Sequence, residues 1–461
     1  MSDSLESKFE KGHTVGLLAQ QLFPNGIDLQ KKYQFDYDKS IEEVRELLNQ
    51  TNAIIYEAPF LYNEVLSVLD ILVCENGKIT AYEVKSITEI KEHIILECAL
   101  QYWVMKNSSI EISDFNIVYV NNKYVKQGEL DINELFKIES VLERILPLQD
   151  DISSKVEELK EILNNQVVPE IDINSNCDHP NPCDFHNHCW QHIPKYSIFN
   201  IAYLKTPKKF ELYKNGIVKF NDIPKDYPLN ENQWQQVDCE LNKTSIINKP
   251  KLKEFLDSLN YPLYFMDFES FQPVIPMFDN SRPYQQITSQ YSLHYLESKD
   301  SELKHFEYLA EANYQIDPRI GFIEQLIDET LPDGDILIFN ISFEKPRLNE
   351  IAKDFPQYAE AIGKIISRLK DLIIPFREHY YFTPEMLGKF SIKNVLSALI
   401  PELSYKELEI SNGGMAMTIY PSLYLETDQE KINTVRHNLL KYCEMDTFAM
   451  VRILKVLEGI N

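Results

Sequence analysis

The run YPLYFMDFES carries Asp267 and Glu269 two residues apart. Side chains at i and i+2 of a strand leave the same face, so these two carboxylates project together. A second apolar run, DILIFNISFEKPRL, places Glu344 four residues beyond Asn340, where a strand gives way to a helix. Near the chain end, HNLLKYCEMDTFAM sets Tyr442 and Asp446 at i and i+4 on one helix face. Leu439, Leu440, Ala449 and Met450 flank Asp446, and a carboxylate among apolar neighbours is costly unless it is paired or metal-bound. Four acids on three elements suit Mg²⁺ or Mn²⁺, which prefer hard oxygen ligands. Two such ions about 4 Å apart hold the attacking and leaving oxygens of a phosphodiester. A tyrosine one turn from the last ligand can orient the attacking water or help to deprotonate it. Asp371, in LKDLII, is a further acid that reads either as part of this set or as a solvated helix end.

A second constellation stands earlier in the chain. Asp70 ends VLSVLD, and the strand-like AYEVKS supplies Glu83 and Lys85, again at i and i+2. Acids on neighbouring strands can hold a metal, while the lysine positions water or offsets phosphate charge. Gln101 follows in ALQYWV, and His13 lies in EKGHTVG. A surface ion pair accounts for an isolated E-x-K equally simply, and His13 also reads as an ordinary helix histidine. Cys177, Cys183 and Cys189 form C-x5-C-x5-C in NCDHPNPCDFHNHCW. Their thiolates suit an iron–sulfur cluster or Zn²⁺, and three free thiols are the plainer reading.

The elements that must position these residues follow from the pattern. Helices are expected over Leu5–Phe23, Ser40–Asn49 and Lys91–Met105, and helical character runs from Ile132 to Asn165. Strands are expected at Ala53–Glu57, Val65–Cys74, Ile79–Ser86 and Phe115–Val120, with a hairpin turn at Glu75-Asn76-Gly77. Asn174–Trp190 breaks the pattern, and residues 193–258 read as a connecting region. A second α/β unit begins near Tyr261. Its strands are expected at Leu263–Phe268, Gln286–Tyr295, His305–Leu309 and Asp335–Asn340, with helices at Arg319–Thr330, Phe343–Ala352 and Gln429–Leu457. The fold class is therefore α/β in both halves.

The 461 residues imply two or three domains. No apolar h-region or membrane-length apolar run is visible, so the expected setting is the cytoplasm, without a membrane partner. The formal net charge of -25 argues against nucleic acid as a partner, since phosphate binding draws on Lys and Arg. Metal-bound carboxylates weaken that objection. So does a local cluster of Lys205, Lys208, Lys209, Lys214 and Lys219 among aromatics, which reads equally as a solvated surface.

With these residues in place, two family resemblances emerge. Asp267 and Glu269, Asn340-x3-Glu344 and Tyr442-x3-Asp446 resemble the motifs of the DEDD 3′–5′ exonucleases, of the RNase H-like superfamily, over about residues 259–461. The second motif carries Glu344 where that family usually has Asp. Asp70, Glu83, Lys85 and Gln101, with His13 upstream, resemble the RecB-like branch of the PD-(D/E)XK nucleases, over about residues 1–170. That resemblance implies a restriction-endonuclease-like fold. It also implies that Cys177, Cys183 and Cys189, within residues 171–192, hold a 4Fe–4S cluster with a fourth cysteine upstream. No cysteine precedes Cys74. A start placed too late, a lost cluster, and a substitute ligand (Cys98, Cys239, His179, His186, His188 or His192) all stay open. Together the resemblances imply an uncharacterised bacterial two-domain family and a metal-dependent nuclease, with DNA expected over RNA. The rival is a nucleic-acid-binding or scaffold protein that keeps nuclease folds without turnover.

Overall fold

A computed structural model describes residues 3–179 and 181–460. The chain forms two compact units: the part up to Ile171 together with Gln272–Gln285, and Asp172–Phe271 together with the part from Gln286 onward. Among the described residues no helix is long and apolar enough to cross a membrane.

In the N-terminal unit, β1 (Ile27–Asp28), β2 (Asn52–Tyr62), β3 (Val65–Glu75), β4 (Lys78–Lys85), β5 (Ile112–Val120) and β6 (Phe136–Ser140) lie side by side in chain order. β1 with β2 and β4 with β5 are parallel, and the remaining pairs are antiparallel. Asn76 and Gly77 both have positive φ, 51° and 75°, which lets a two-residue turn follow the twist of the β3–β4 hairpin. The helix Glu92–Asn107 carries the chain from β4 to β5 and buries Ile95, Ala99 and Trp103 against Leu69, Leu72 and Phe115. The helix Asp3–Ala19 covers the other face through Val15 and Ala19, which pack with Tyr56, Ile71 and Val118. Residues Gln272–Gln285 join this unit through the Lys126 amide, which donates to the Ser281 carbonyl at 3.1 Å, and through Tyr284, which donates to the Ser86 carbonyl.

Two expectations need correction here. The stretch 132–165 is not helical throughout, because Phe136–Ser140 pairs along β5 as an edge strand. Strand β2 also runs five residues past Glu57 to Tyr62, since pairing with β3 extends a strand whose own sequence, interrupted by Glu57 and Pro59, did not suggest it.

In the C-terminal unit β7 (Ile246–Ile247) pairs with β13 (Tyr381–Phe382). The main sheet comprises β8 (Leu263–Phe271), β9 (Ile287–Leu296), β10 (Lys304–Leu309), β11 (Asp335–Ile338) and β12 (Leu369–Asp371), in the order β10-β9-β8-β11-β12. β8, β9 and β10 are antiparallel, whereas β11 runs parallel to both β8 and β12. Tyr264, Met266 and Phe268 pack one face of β8 against Phe322 and Leu348 of the helices Pro318–Glu329 and Glu344–Asp354. Arg319, 1% exposed, ties those two helices together through its 2.8 Å contact with Asp354. Asp267 and Glu269 leave the opposite face of β8, where the long helix Gln429–Ile460 lies. Residues 193–258, expected as a connector, hold an apolar cluster of Ile198, Ile201, Leu212, Phe220 and Val237. Fully buried Gln236 serves that cluster by hydrogen-bonding the main chain of Asn200 and Ala202.

Gly334, just before the β11–β8 pairing, has φ at +83°, and a Cβ there would lie 1.9 Å from the Pro262 carbonyl oxygen. Gly334→Ala should therefore cost at least about 1–3 kcal/mol in chemical denaturation. Gly363→Ala, in the helix Ala359–Ser367 with nothing within 4 Å of the added carbon, should be neutral or stabilising by up to about 1 kcal/mol. Equal midpoints for the two variants would refute this reading of the sheet's entry turn.

Candidate functional site

The central strand β8 brings Asp267 and Glu269 to face Asp446 of the C-terminal helix, and one oxygen from each of the three lies within 4.8 Å of the others. Glu344, the first residue of its helix and 3% exposed, reaches the same place, within hydrogen-bonding reach of Asp267. It stands outside the tight trio. The second oxygen of Glu344 is buried with no hydrogen-bond partner among the described residues. A buried acceptor left unpaired is costly, and beside three further carboxylates it suits a hard divalent cation.

Electrostatics follow from crowding. Burial, reinforced by Asp446, Glu344 and Glu269, pushes the Asp267 carboxyl well above its ordinary range. Burial and then Asp446 do the same to Glu269. Burial raises Glu344 to about 8 and Asp446 to about 6. The rise at Asp446 is held down by the Tyr405 hydroxyl, which donates to its carboxylate at 2.6 Å, and by the charge of Lys393. Tyr442, 4% exposed, has its hydroxyl pushed above the usual phenol range by burial and by Asp446, Glu269 and Asp267. It therefore stays protonated and acts as a donor. The Lys393 ammonium lies 3.4 Å from that hydroxyl. Cys443 is fully buried with its sulfur 3.8 Å from an Asp267 oxygen, and burial followed by Asp267 keeps it a thiol.

Asp371 is no solvated helix end. It closes β12, is buried, and accepts the amides of Asn340, Ile341 and Ile373 at 2.9, 3.2 and 3.1 Å. It thereby clamps the turn before Glu344, where Asn340 has a φ of +78°. Tyr405 and Lys393 escaped the sequence reading. Each sits in a segment whose pattern signals only an amphipathic surface, and only the tertiary fold points it inward.

In the N-terminal unit, β3 and β4 stay paired up to Ile71 and Tyr82 and then part. The Val84 amide, freed from the ladder, donates to the Asp70 carboxylate at 2.6 Å. Gln101 donates to Glu83 at 2.9 Å, and Lys85 lies 2.8 Å from Glu83 and 2.6 Å from Glu97. The ladder between β2 and β3 skips Glu57, which adopts a φ of +54°. Glu57 thus joins His13, Asp28, Asp70, Glu83 and Lys85 around a cavity of about 560 Å³. Burial, then Asp28 and Glu83, raise the Glu57 carboxyl to about 7, and burial followed by Glu83 raises Asp70 well above its normal range. Glu57 and Asp28 were also missed; a left-handed glutamate inside a strand has no signature in one sequence.

The cysteines behave differently. Cys177 and Cys189 are half-buried and Cys183 is exposed. Among the described residues their sulfurs do not gather with a further ligand within 4.8 Å, so no ready zinc tetrahedron exists. Cys98 is fully buried in the N-terminal core and Cys239 is buried in the helix Glu231–Asn242. His186 stacks on Trp190, and His192 bonds the Tyr213 hydroxyl at 2.9 Å. Among the described residues, no fourth ligand gathers with these three sulfurs.

A family model matches residues 264–391: it is described as a domain of unknown function, DUF2779. That stretch holds Asp267, Glu269, Glu344 and Asp371. Uncharacterized protein MG366 of Mycoplasma genitalium is 28% identical over 229 residues, 46% of this chain and 34% of its own length. Uncharacterized protein UU173 of Ureaplasma parvum is 29% identical over 212 residues, 41% of this chain and 30% of its own. This chain therefore spans about a third of the length of the curated relatives it matches. No solved structure matches it significantly.

The acid cluster makes a prediction about pH. Carboxyls that titrate near 4 when unfolded hold protons up to about 6 and about 8 here. The folded chain then binds more protons than the unfolded one, so stability without metal should fall as pH rises from about 5 to 8. Added Mn²⁺ should raise the melting temperature, by more at pH 8 than at pH 5.5. In Glu344→Gln the loss between about pH 6 and 8 should shrink. A melting temperature independent of pH and of Mn²⁺ would refute the shared site.

Proposed function

We propose that the chain is a metal-dependent nuclease of the cytoplasm whose C-terminal unit is a 3′–5′ exonuclease of the RNase H-like DEDD type. The observation that carries this reading is the meeting of Asp267, Glu269 and Asp446 within 4.8 Å beside the orphaned oxygen of Glu344. The sheet order, three antiparallel strands followed by two parallel ones, is the order expected of an RNase H-like unit and puts the first motif on the central strand. Neither the family model nor the relatives carry an activity, so the proposal rests on geometry.

Asp267, Glu269, Glu344 and Asp446 would hold Mg²⁺ or Mn²⁺. Bound there, the ions would supply an activated water and charge stabilisation for the phosphodiester. The chain's own groups do the rest. The protonated Tyr442 hydroxyl donates a hydrogen bond and so orients a water or a phosphate oxygen. The Lys393 ammonium, close beside it, fits an anionic oxygen. Tyr405 fixes the rotamer of Asp446, and the Cys443 thiol lies against Asp267 without competing for a cation as a thiolate would. DNA remains the preferred substrate class over RNA.

For the N-terminal unit, the parting of β3 and β4 and the placing of Asp70, Glu83, Lys85 and Gln101 support a restriction-endonuclease-like, RecB-like site. One observation favours a second reading. Lys85 is engaged by Glu97 as well as by Glu83, which holds the ammonium away from a phosphate. On that reading this unit grips nucleic acid without cutting it.

End-labelled DNA and RNA incubated with Mg²⁺ or Mn²⁺ separate these readings. Asp267→Ala and Asp446→Asn should each lower release of 3′-terminal nucleotides by about 10²-fold or more, the scale at which one transition-state-stabilising group acts. Lys85→Ala should lower cleavage only if the N-terminal site cuts. Wild-type protein that binds but degrades neither polymer would replace the enzyme reading with a binding one.

A further inference from the structure

Beside the four acids, on the same face of the main sheet, a second group of side chains meets. His294 of β9 and His305 of β10 stand directly opposite each other in the antiparallel ladder. Their rings stack at 4.4 Å with an interplanar angle of 29°. Glu444, on the C-terminal helix, completes the group. One ring nitrogen of each histidine and one Glu444 oxygen all lie within 4.8 Å of one another. The set is chemically distinct from its neighbour: two imidazoles and one carboxylate, rather than carboxylates alone.

One assignment of the ring protons satisfies every hydrogen bond around the rings. The Thr447 hydroxyl contacts the Glu444 carbonyl at 3.0 Å, the His294 Nδ1 at 2.8 Å and the Ser292 hydroxyl at 2.7 Å. A carbonyl can only accept, so the single Thr447 proton goes to Glu444. His294 Nδ1 and Ser292 must then both donate to the Thr447 oxygen. Ser292 has spent its own proton, so its 2.8 Å contact with His305 Nε2 requires that nitrogen to donate. The chain of donors has one consistent direction. In that direction the ring lone pairs not used in these contacts are those of His294 Nε2 and His305 Nδ1. Outer hydroxyls that fix ring tautomer and orientation are the usual second layer of a histidine metal site.

We propose that His294, His305 and Glu444 form a binding site for a zinc-type divalent transition ion, separate from the acid cluster and independent of the nuclease reading. Imidazole with carboxylate suits Zn²⁺ or Co²⁺, whereas Mg²⁺ prefers all-oxygen surroundings. Three protein ligands leave a fourth position for water, and exposed Glu444 gives the ion its path in. The bound ion pins the C-terminal helix to β9 and β10 two residues from Asp446. It therefore fixes the depth at which the helix presents its acid and its tyrosine.

The test is Co²⁺ titration of the metal-free full chain, followed by visible absorption. One equivalent should give a visible band without a near-ultraviolet thiolate band, because no cysteine belongs to the site. Zn²⁺ should displace the ion, and a large excess of Mg²⁺ should not. Glu444→Gln, at an exposed position that folding tolerates, and His305→Gln should each abolish the band or weaken binding by more than about tenfold. Thr447→Val, which releases the ring tautomers, should weaken it by about 10–100-fold. Asp267→Asn should leave it unchanged. The proposal is overturned if wild type gives no such band, if Glu444→Gln and His305→Gln bind Co²⁺ as tightly as wild type, or if only Asp267→Asn loses it. Circular dichroism of each variant separates a lost site from a lost fold.

Discussion

Like charges brought into one desolvated pocket govern the C-terminal unit. Two carboxylates about 5 Å apart repel by about 3 kcal/mol at an effective dielectric of about 20, and here several such pairs coexist. The surrounding structure supplies the restraint. β8 is paired on both sides at Leu263–Phe265, and β9 alone carries the pairing on past Asp267 and Glu269, which ties both acids to the sheet. The C-terminal helix is anchored above and below Asp446 by buried Leu439, Met450, Ile453 and Leu457, and Gln290 of β9 donates to the Leu439 carbonyl at 2.8 Å. The acids respond to confinement by keeping their protons, and they would give them up to a divalent cation.

The N-terminal unit answers the same problem with a cation of its own. Glu83 is buried, and Lys85 stands beside it at 2.8 Å. That internal charge, raised further above the usual lysine range by Glu83 and Glu97 against the opposing effect of burial, leaves less unbalanced negative potential than the C-terminal cluster has. What remains gathers on Asp70 and Glu57. Glu57 pays with its backbone: left-handed φ at a residue with a Cβ costs roughly 1–3 kcal/mol. It forgoes its place in the β2–β3 ladder to aim a carboxylate at the cavity. Glu57 lines the same cavity as Asp70 and Glu83 although no spacing announced it.

How much was legible depended on whether local chemistry or tertiary contact set each feature. The i and i+2 pairs on β8 and β4, and the i and i+4 pair on the final helix, were readable because strand and helix periods alone place them. The Asn76-Gly77 hairpin was readable from its turn residues. Phe136–Ser140 was not, because only its partner β5 makes it a strand. The role of Asp371 stayed open in the sequence because it depends on amides of Asn340 and Ile341, thirty residues away. Tyr405, Lys393, Glu57 and the pair His294 and His305 were invisible for the same reason. Each acquires meaning from a neighbour distant in sequence, and Gln272–Gln285, set between two strands of one unit, packs with the other.

The net charge of -25 bears on the proposed function through the same electrostatics. A polyanion held by lysine and arginine releases counterions and binds more weakly as salt rises. Beside the acid cluster, Lys393 is half-buried against Tyr405 and Tyr442, 4.8 and 5.1 Å from their ring centres. The lysines of the segment 203–219 are mostly exposed, but Lys209 is turned inward to the Phe199 carbonyl at 2.7 Å. Under the nuclease reading, the positive charge that meets a phosphate at the acid cluster must therefore come chiefly from divalent ions. Cation occupancy and substrate affinity at that cluster then become a single coupled equilibrium, because carboxylates that have kept their protons, or their repulsion, have nothing to offer a phosphate.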